Sequence, residues 1–411
     1  MITFVVLYVA LHSVLSTDCT QEVKLNPEIA SLLQNKELFL GEGAHGDVYK
    51  IFVDKEEFKS KNNVNIYQSG EGSRIPAALK LIPFSESNKT EREGMMVQEA
   101  TILEKLKDIA PEFYRCGKLD ESTYFIAMEF IDETLDVYLK RKKYALTISE
   151  KLKMYDDLLS MLKALYEQKI IHCDIKPGNI GHLTKSNSFK LFDFGISVEN
   201  RECYSGTENY IPPEFDQEAD LDFEGMAKFD VYSLGIVFLA IEEEYKKSLP
   251  SKPSLSFKLN LDNPFEIKVH DIDDYSKDTE DKTANNKPGL KEFKNAFIQV
   301  LNHVLSSMLF GDVGVRPSAP QLSKVVKKLR NLYEKNNKSN DLSPKQSEYL
   351  TYITNWPQRY SNGSTINTFI DEFNALDKNS HEFLANKDSD IPEKLTTTEA
   401  KLDEVRMRKI I

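Results

Sequence analysis

The stretch that most constrains this chain is Gly41-Glu42-Gly43-Ala44-His45-Gly46-Asp47-Val48, three glycines in the spacing G-x-G-x-x-G-x-V. It lies within Leu38 to Val53, which reads as strand, glycine-rich turn, strand. Lacking a Cβ, glycine lets backbone amides come close to a polyphosphate. Three neighbouring glycines are more often a plain turn, so the segment gains meaning only from the residues downstream of it. Ala77-Ala78-Leu79-Lys80-Leu81-Ile82 is a short apolar run suited to a buried strand, and Lys80 interrupts it. Alone, Lys80 is a strand-edge lysine facing water. Glu99 lies further on, in 89–107, where Met96, Ala100, Leu103 and Leu106 recur at helical spacing. A single glutamate there is ordinarily a solvated helix face.

Two polar clusters change that balance. His172-Cys173-Asp174-Ile175-Lys176-Pro177-Gly178-Asn179 is followed by Asp193-Phe194-Gly195. With the glycine segment and Lys80 upstream in the right order, these resemble the H-x-D-x-K-P-x-N loop and D-F-G of eukaryotic-type protein kinases of the Ser/Thr type. The resemblance continues. Gly206-Thr207-Glu208-Asn209-Tyr210-Ile211-Pro212-Pro213-Glu214 is similar to G-T-x-x-Y-x-A-P-E, with Pro212 for alanine. Asp230-Val231-Tyr232-Ser233-Leu234-Gly235 is similar to D-V-W-S-x-G, with Tyr232 for tryptophan. Arg316-Pro317-Ser318 resembles the late arginine that pairs with the A-P-E glutamate, here Glu214. Each segment has a bland reading; all of them in register by chance do not.

The resemblance implies transfer of the γ-phosphate of ATP to serine or threonine hydroxyls of protein substrates, with Mg²⁺, or Mn²⁺ in its place. Phosphoryl transfer is mostly positioning and charge neutralisation. By resemblance, Gly41, Gly43, Gly46, Val48 and Ala78 line the nucleotide site. Lys80 holds the α- and β-phosphates, and Glu99 orients Lys80. Asn179 and Asp193 hold the metal through hard oxygens. Asp174 accepts the hydroxyl proton, and Lys176 steadies the γ-phosphate. The adenine edge meets the backbone from Glu129 to Ile131, with Met128 at the gatekeeper position; a core methionine is the plainer description of Met128, and both hold together.

Two departures stand out. Cys173 replaces the arginine of the H-R-D motif, which in the family usually receives a phosphate on the downstream segment. The expectation is therefore constitutive activity rather than activation by phosphorylation. Cys203, eleven residues before Glu214, stands about where that phosphorylated residue sits. In an oxidising compartment a Cys173–Cys203 disulfide could replace the ion pair if the Cα atoms came within about 4.4–6.8 Å. The sequence favours the plainer alternative, two unrelated thiols; Cys19 and Cys116 are left to pair or stay free. His45, at the tip of the glycine segment, reads as an exposed loop residue.

The implied fold is α+β and bilobal, a small β-rich N-lobe and a larger, mostly helical C-lobe. The expected divisions are a signal peptide over 1–17, a polar lead-in over 18–37, and the kinase domain over 38–335. Within it the N-lobe is 38–128 and the C-lobe 132–335, with a charged surface loop inserted at 54–75 and an acidic one at 271–287. Thr147-Ile148-Ser149-Glu150 is a capping box opening a helix with Leu152, Tyr155, Leu158, Leu159, Leu162 and Leu165 on its core face. Further helices are expected at about 291–309 and 318–335, then a polar extension over 336–411 with scattered apolar clusters such as Phe369 to Leu376.

Lys and Arg total 53 against 65 Asp and Glu, a net charge of −12 that disfavours nucleic acid as a partner. The apolar run Met1 to Leu11, with Val14 and Ser16 spaced like residues before a signal-peptidase cut, points to the secretory pathway. No Lys or Arg precedes Lys24, so the positive n-region is missing, and a membrane anchor or a cytoplasmic protein with a misplaced start are the alternatives. After residue 20 no stretch is long and apolar enough to span a bilayer, so a cleaved chain would carry no transmembrane span. Two other functional classes compete with an active protein kinase. A pseudokinase should have lost Lys80, Asp174, Asn179 or Asp193, and none is lost. A small-molecule kinase should lack the Gly206–Glu214 segment and the late arginine, and both are present.

Overall fold

The computed structural model describes residues 33–43, 46–60, 63–215, 221–248 and 304–338, with isolated positions within 19–29, 297–302 and 351–373. The expected signal peptide, His45 and the 271–287 loop lie outside the described residues.

The N-terminal part is built on a five-stranded antiparallel sheet. Its strands are β1 (Phe39–Gly43), β2 (Gly46–Val53), β3 (Ile75–Pro83), β4 (Phe113–Asp120) and β5 (Thr123–Glu129), in the order β1-β2-β3-β5-β4. Successive strand side chains point to opposite faces, and β3 uses both. Ala77 and Leu79 join Phe125 and Ala127 of β5 on one face, while Ala78 and Ile82 join Ile126 and Met128 on the other. The second face is covered by the helix Lys89–Lys105, whose Met96, Ala100 and Leu103 are buried as their spacing predicts. Lys80 shares the parity of Ala78 and Ile82, so it points beneath the sheet toward that helix and not to water.

The first face is covered by an element whose charged sequence presents it as a loop. Within 54–75, Lys55–Ser60 forms a helix that buries Phe58, and Ile66 is buried beside it against Ile51, Leu79 and Tyr114. Two buried apolar residues, Phe58 and Ile66, in a mostly polar stretch are too few to register as periodicity, yet they suffice to cap a small sheet face. Lys55 and Lys59 both reach Glu112, at 2.6 and 2.7 Å, which holds the helix on the sheet.

The lead-in is also more than a polar tail. Lys24–Leu25 pairs in parallel with Asn63–Val64, and Cys19 is disulfide-bonded to Cys116 of β4 with a Cα separation of 5.0 Å. That closes the alternative left open for these two cysteines.

The C-terminal part is mostly helical. Leu135–Arg141 leads to Ile148–Glu167, which starts at the expected capping box: the Glu150 N–H donates to Thr147 Oγ1 and the Thr147 N–H to Glu150 Oε2. The whole predicted apolar stripe, Leu152 to Leu165, is buried. This helix packs against Ala319–Lys338, close to the helix expected at 318–335. Of the 291–309 helix, positions 297, 300–302 and 304–307 are described and helical. In the extension, positions 368, 371 and 373 are helical; Phe373 is fully buried in the core, and its carbonyl accepts from Lys328 at 2.9 Å. Among the described residues no helix is long and apolar enough to cross a membrane.

Two short antiparallel pairings present the polar clusters. Ile180–Leu183 pairs with Ser188–Leu191, and Ile170–Ile171 pairs with Val198–Glu199. The 172–179 loop runs between the first strands of the two pairs, and Asp193-Phe194-Gly195 between the second strands. The Phe192 N–H donates to the Asn179 carbonyl at 3.1 Å, which lays the two clusters side by side.

Candidate active site

The wall under the sheet is assembled by strand register. Val48 of β2 stands opposite Lys80 of β3, and Lys80 opposite Ile126 of β5; in the next row Ala78 stands opposite Met128. Gly41, Gly43 and Gly46 lie on the β1–β2 hairpin, where Gly43 pairs with Gly46. The glycines serve different ends. Gly46 has φ +143°, and a Cβ there would sit 1.8 Å from the Leu81 carbonyl oxygen, so only glycine fits. At Gly41 a Cβ would meet nothing within 4 Å among the described residues beyond its chain neighbours, so packing against them does not require glycine and leaves the space beside it open. Met128 is buried, as both of its readings require. The Glu129 N–H is donated to the Glu112 carbonyl. Ile131 lies close enough to Gly181 that a Cβ at Gly181 would strike its Cγ2 at 2.5 Å.

Lys80 is the junction of the site. Its Nζ donates to both oxygens of Glu99, at 2.9 and 2.8 Å, and to Asp193 Oδ1 at 2.9 Å. Lys80 and Glu99 are nearly inaccessible, whereas the Asp193 side chain is 37% exposed, toward the open side. Burial pulls the Lys80 pKa down, but the Glu99 carboxylate, and after it that of Asp193, outweigh burial and hold it above the usual lysine range. The two carboxylates thus favour the charged ammonium. Asp193 has φ +64°, a left-handed conformation that costs a non-glycine residue free energy and is typical of sites where the surrounding structure dictates the geometry.

The second half of the site centres on Asp174. Its Oδ2 accepts from Lys176 Nζ at 2.7 Å and from Asn179 Nδ2 at 2.8 Å, and its Oδ1 accepts from the Thr207 hydroxyl at 2.5 Å. Lys176 Nζ also donates to Thr207 Oγ1 at 2.8 Å, closing a ring of three side chains. Because Asn179 uses its amide nitrogen on Asp174, its amide oxygen is the atom it has to offer a cation.

Buried groups hold this loop from behind. The carboxylate of Asp230 accepts the N–H of His172 at 2.7 Å and of Cys173 at 2.9 Å. Burial raises the Asp230 carboxyl to about 7, against the pull of those two donors. Burial likewise keeps the His172 imidazole below its ordinary pKa. A neutral ring fits its contacts: Nε2 lies 3.1 Å from the Phe192 carbonyl, and Nδ1 accepts the Asp174 N–H at 3.3 Å. Phe194 is fully buried against His172, with ring centroids 4.8 Å apart. Gln98, next to Glu99 on its helix, donates to the Ser197 carbonyl and so ties that helix to the segment after Gly195. Glu214 pairs with buried Arg316 at 2.6 and 2.9 Å, the partnership that the sequence implies.

Cys173 and Cys203 form a disulfide, with Cα atoms 5.6 Å apart. This overturns the preference for two unrelated thiols. Thiols separated by 30 positions carry no pairing signal of their own; the hairpin that brings Val198–Glu199 onto Ile170–Ile171 supplies the proximity. Thr207 and Asp230 are visible in the sequence as members of motifs, without a role. Gln98 carries no signal there.

A two-lobed α+β fold with these clusters facing one another is the architecture of protein kinases, and this chain belongs to that family: the model of the protein kinase domain matches residues 35–326. Among curated relatives, a probable serine/threonine-protein kinase of Dictyostelium discoideum, fnkB, is 31% identical over 168 residues, covering 38% of this chain and 30% of the relative. The serine/threonine-protein kinase TAO1-A of Xenopus laevis is 29% identical over 202 residues, 48% of this chain and 20% of the relative. The MAP kinase kinase MKK1/SSP32 of Saccharomyces cerevisiae is 32% identical over 212 residues, 49% and 37%. The match thus spans well under half the length of each relative.

Proposed function

We propose that this chain is an ATP-dependent protein kinase that phosphorylates serine and threonine hydroxyls. The observation that carries the reading is Lys80, whose ammonium reaches both Glu99 and Asp193, residues from separate parts of the chain. A buried ammonium held between two carboxylates, one of them partly exposed, is what the α- and β-phosphates of ATP need. Glu99 keeps it aimed. The Gly41, Gly43 and Gly46 backbone lies over the phosphates, and the open space beside Gly41 leaves room for them. Val48, Ala78 and Met128 line the adenine side. With the Glu129 N–H already used within the protein, the Glu129 carbonyl and the backbone of Ile131 are left to meet the adenine edge.

Asp174 is the base. Its three side-chain donors hold the carboxylate in one orientation. Lys176 bridges Asp174 and Thr207 and would neutralise charge on the γ-phosphate. The Asn179 amide oxygen and the Asp193 carboxylate are hard donors that fit Mg²⁺, which usually takes one or two protein oxygens and completes its shell with phosphates and water. The ion would supply charge neutralisation on the phosphates. Export to an oxidising compartment belongs to the same proposal, supported by the apolar run Met1 to Leu11 and by two disulfides that use all four cysteines.

The test is incubation of residues 18–411 with labelled ATP, Mg²⁺ and generic basic and acidic protein substrates, beside an Asp193→Ala control. Label on serine and threonine that disappears in the control is the expected result. ATP binding with no transfer under any condition would overturn it in favour of a non-catalytic relative.

A further inference from the structure

The Cys173–Cys203 bond does more than staple two loops. The ring it closes contains Asp174, Lys176, Asn179 and Asp193, so most of the proposed catalytic groups lie between its two sulfurs in sequence. Cys173 is adjacent to Asp174, has φ +67° and is almost wholly buried. Cys203 lies four residues before Thr207, whose hydroxyl holds Asp174 Oδ1. Between them, a Cβ at Gly206 would lie 2.9 Å from the Cys173 carbonyl oxygen, so the segment passes hard against the loop at that point. The bond sits in a small core of its own with Ile171, Val198 and Phe229, apart from the main core of the lobe. Cys203 is only partly buried, and it lines a surface cleft with Glu202, Phe215 and Met226. Cys203 is therefore the more accessible end of the bond, while Cys173 is anchored beside Asp174.

We propose that this disulfide is a redox switch on phosphoryl transfer, with Cys203 as a positioning residue that acts through Thr207 on Asp174. The inference rests on the kinase reading above. Closed, the bond fixes the chain four residues before Thr207 and keeps the Thr207–Asp174–Lys176 ring assembled. Open, Ile196 to Asn200 is still held by the Val198–Glu199 pairing and the Gln98–Ser197 contact, while the stretch from Arg201 to Gly206 loses its covalent tie to the loop. The chemistry is thiol–disulfide exchange with an external dithiol. One of its thiolates attacks Cys203 Sγ, the sulfur–sulfur bond breaks, and Cys173 leaves as a thiolate that takes a proton. The second thiol of the reagent then displaces Cys203. The dithiol is oxidised by two electrons to its disulfide, and the two cysteines are reduced to thiols. Lys80, Glu99 and the adenine wall of Val48, Ala78 and Met128 lie outside the ring, so nucleotide contacts other than the Mg²⁺ ligands Asn179 and Asp193 are separable from the switch.

The experiment equilibrates the full chain in buffers of graded dithiol-to-disulfide ratio. It measures kcat, KM for ATP and nucleotide affinity at each ratio, and follows the bond by thiol trapping and mass spectrometry. The Cys19→Ser/Cys116→Ser variant is run in parallel, so that any response is assigned to the second bond. Opening Cys173–Cys203 is expected to lower kcat at least about tenfold, as displacement of a base by about 1 Å does. Nucleotide affinity should stay within about twofold, and reoxidation should restore kcat. Cys203→Ser should show the lowered kcat with no dithiol present and no response to it; the wild-type titration does not depend on that variant folding well. Equal kcat with the bond shown open and closed overturns the switch alone. Loss of nucleotide affinity in step with kcat overturns it too, because the bond would then merely support the fold. Transfer in neither state overturns the kinase reading and the switch with it.

Discussion

Thr207 offers the most direct test of how the site is built. Its hydroxyl donates to Asp174 Oδ1 and accepts from Lys176 Nζ. Thr207→Ala removes both contacts, and Asp174 keeps Lys176 and Asn179, which both reach Oδ2. Oδ1 then has no side-chain donor among the described residues, and the carboxylate can turn about its bond to Cβ. A hydrogen bond to a charged group contributes about 1.5–3 kcal/mol. At about 1.4 kcal/mol per decade of rate, kcat should fall about 10- to 150-fold. KM for ATP should hold, because the nucleotide wall of Val48, Ala78 and Lys80 is untouched. Thr207→Ser keeps the oxygen and should lose less than about threefold, under 1 kcal/mol. Steady-state transfer from labelled ATP to a basic protein substrate measures both variants, and a thermal melt of each checks the fold. Full kcat in the alanine variant, or an equal loss in the serine variant, would refute the argument that this hydroxyl orients the base.

Other outcomes concern groups further from the chemistry. Glu214→Ala leaves the Arg316 guanidinium buried without its carboxylate, which should cost about 3–5 kcal/mol and lower the melting midpoint by about 10 °C. Phe58→Ala should destabilise the N-lobe by about 3–5 kcal/mol in denaturant unfolding, whereas a true surface loop would tolerate it. Asp230 gives a pH signature. Its carboxyl holds its proton up to about 7 in the folded protein and to about 4 when unfolded. Folding therefore takes up a proton between these values, and the stability that Asp230 contributes is fully present below pH 4 and lost as pH rises toward 7. Subtracting the stability–pH curve of Asp230→Asn from that of the wild type should expose this fall; a flat difference would show that the two N–H donors keep Asp230 ionised throughout.

The candidate site was largely legible in the sequence because its residues come in short segments with little freedom. Gly46 must be glycine where β3 passes close, and Lys80 must share the parity of Ala78 to point under the sheet. The pairing of Glu214 with Arg316 was legible for the same reason, since both belong to named segments. What escaped the sequence depends on contacts between distant stretches that no local pattern encodes. Gln98 meets Ser197 only because the Glu99 helix lies against the segment after Gly195. The Cys173–Cys203 bond is raised by the family register but ranks below two unrelated thiols, because the two-residue strands that pair beneath them are not visible in the spacing. The helix at Lys55–Ser60 buries one phenylalanine, too little to show above a charged background.

The positions of the two disulfides also bear on how the cleft can work. Cys19–Cys116 closes a ring through the glycine segment, Lys80 and Glu99, and Cys173–Cys203 closes one through Asp174, Asn179 and Asp193. Each bond stays within one lobe. The connection through Glu129 to Ile131 is free of both, so the disulfides brace the upper and lower jaws separately and neither ties one jaw to the other. A kinase must admit ATP and expel ADP in every turnover, and release often limits the rate. Cross-linking of this kind braces each half of the cleft without pinning its mouth shut.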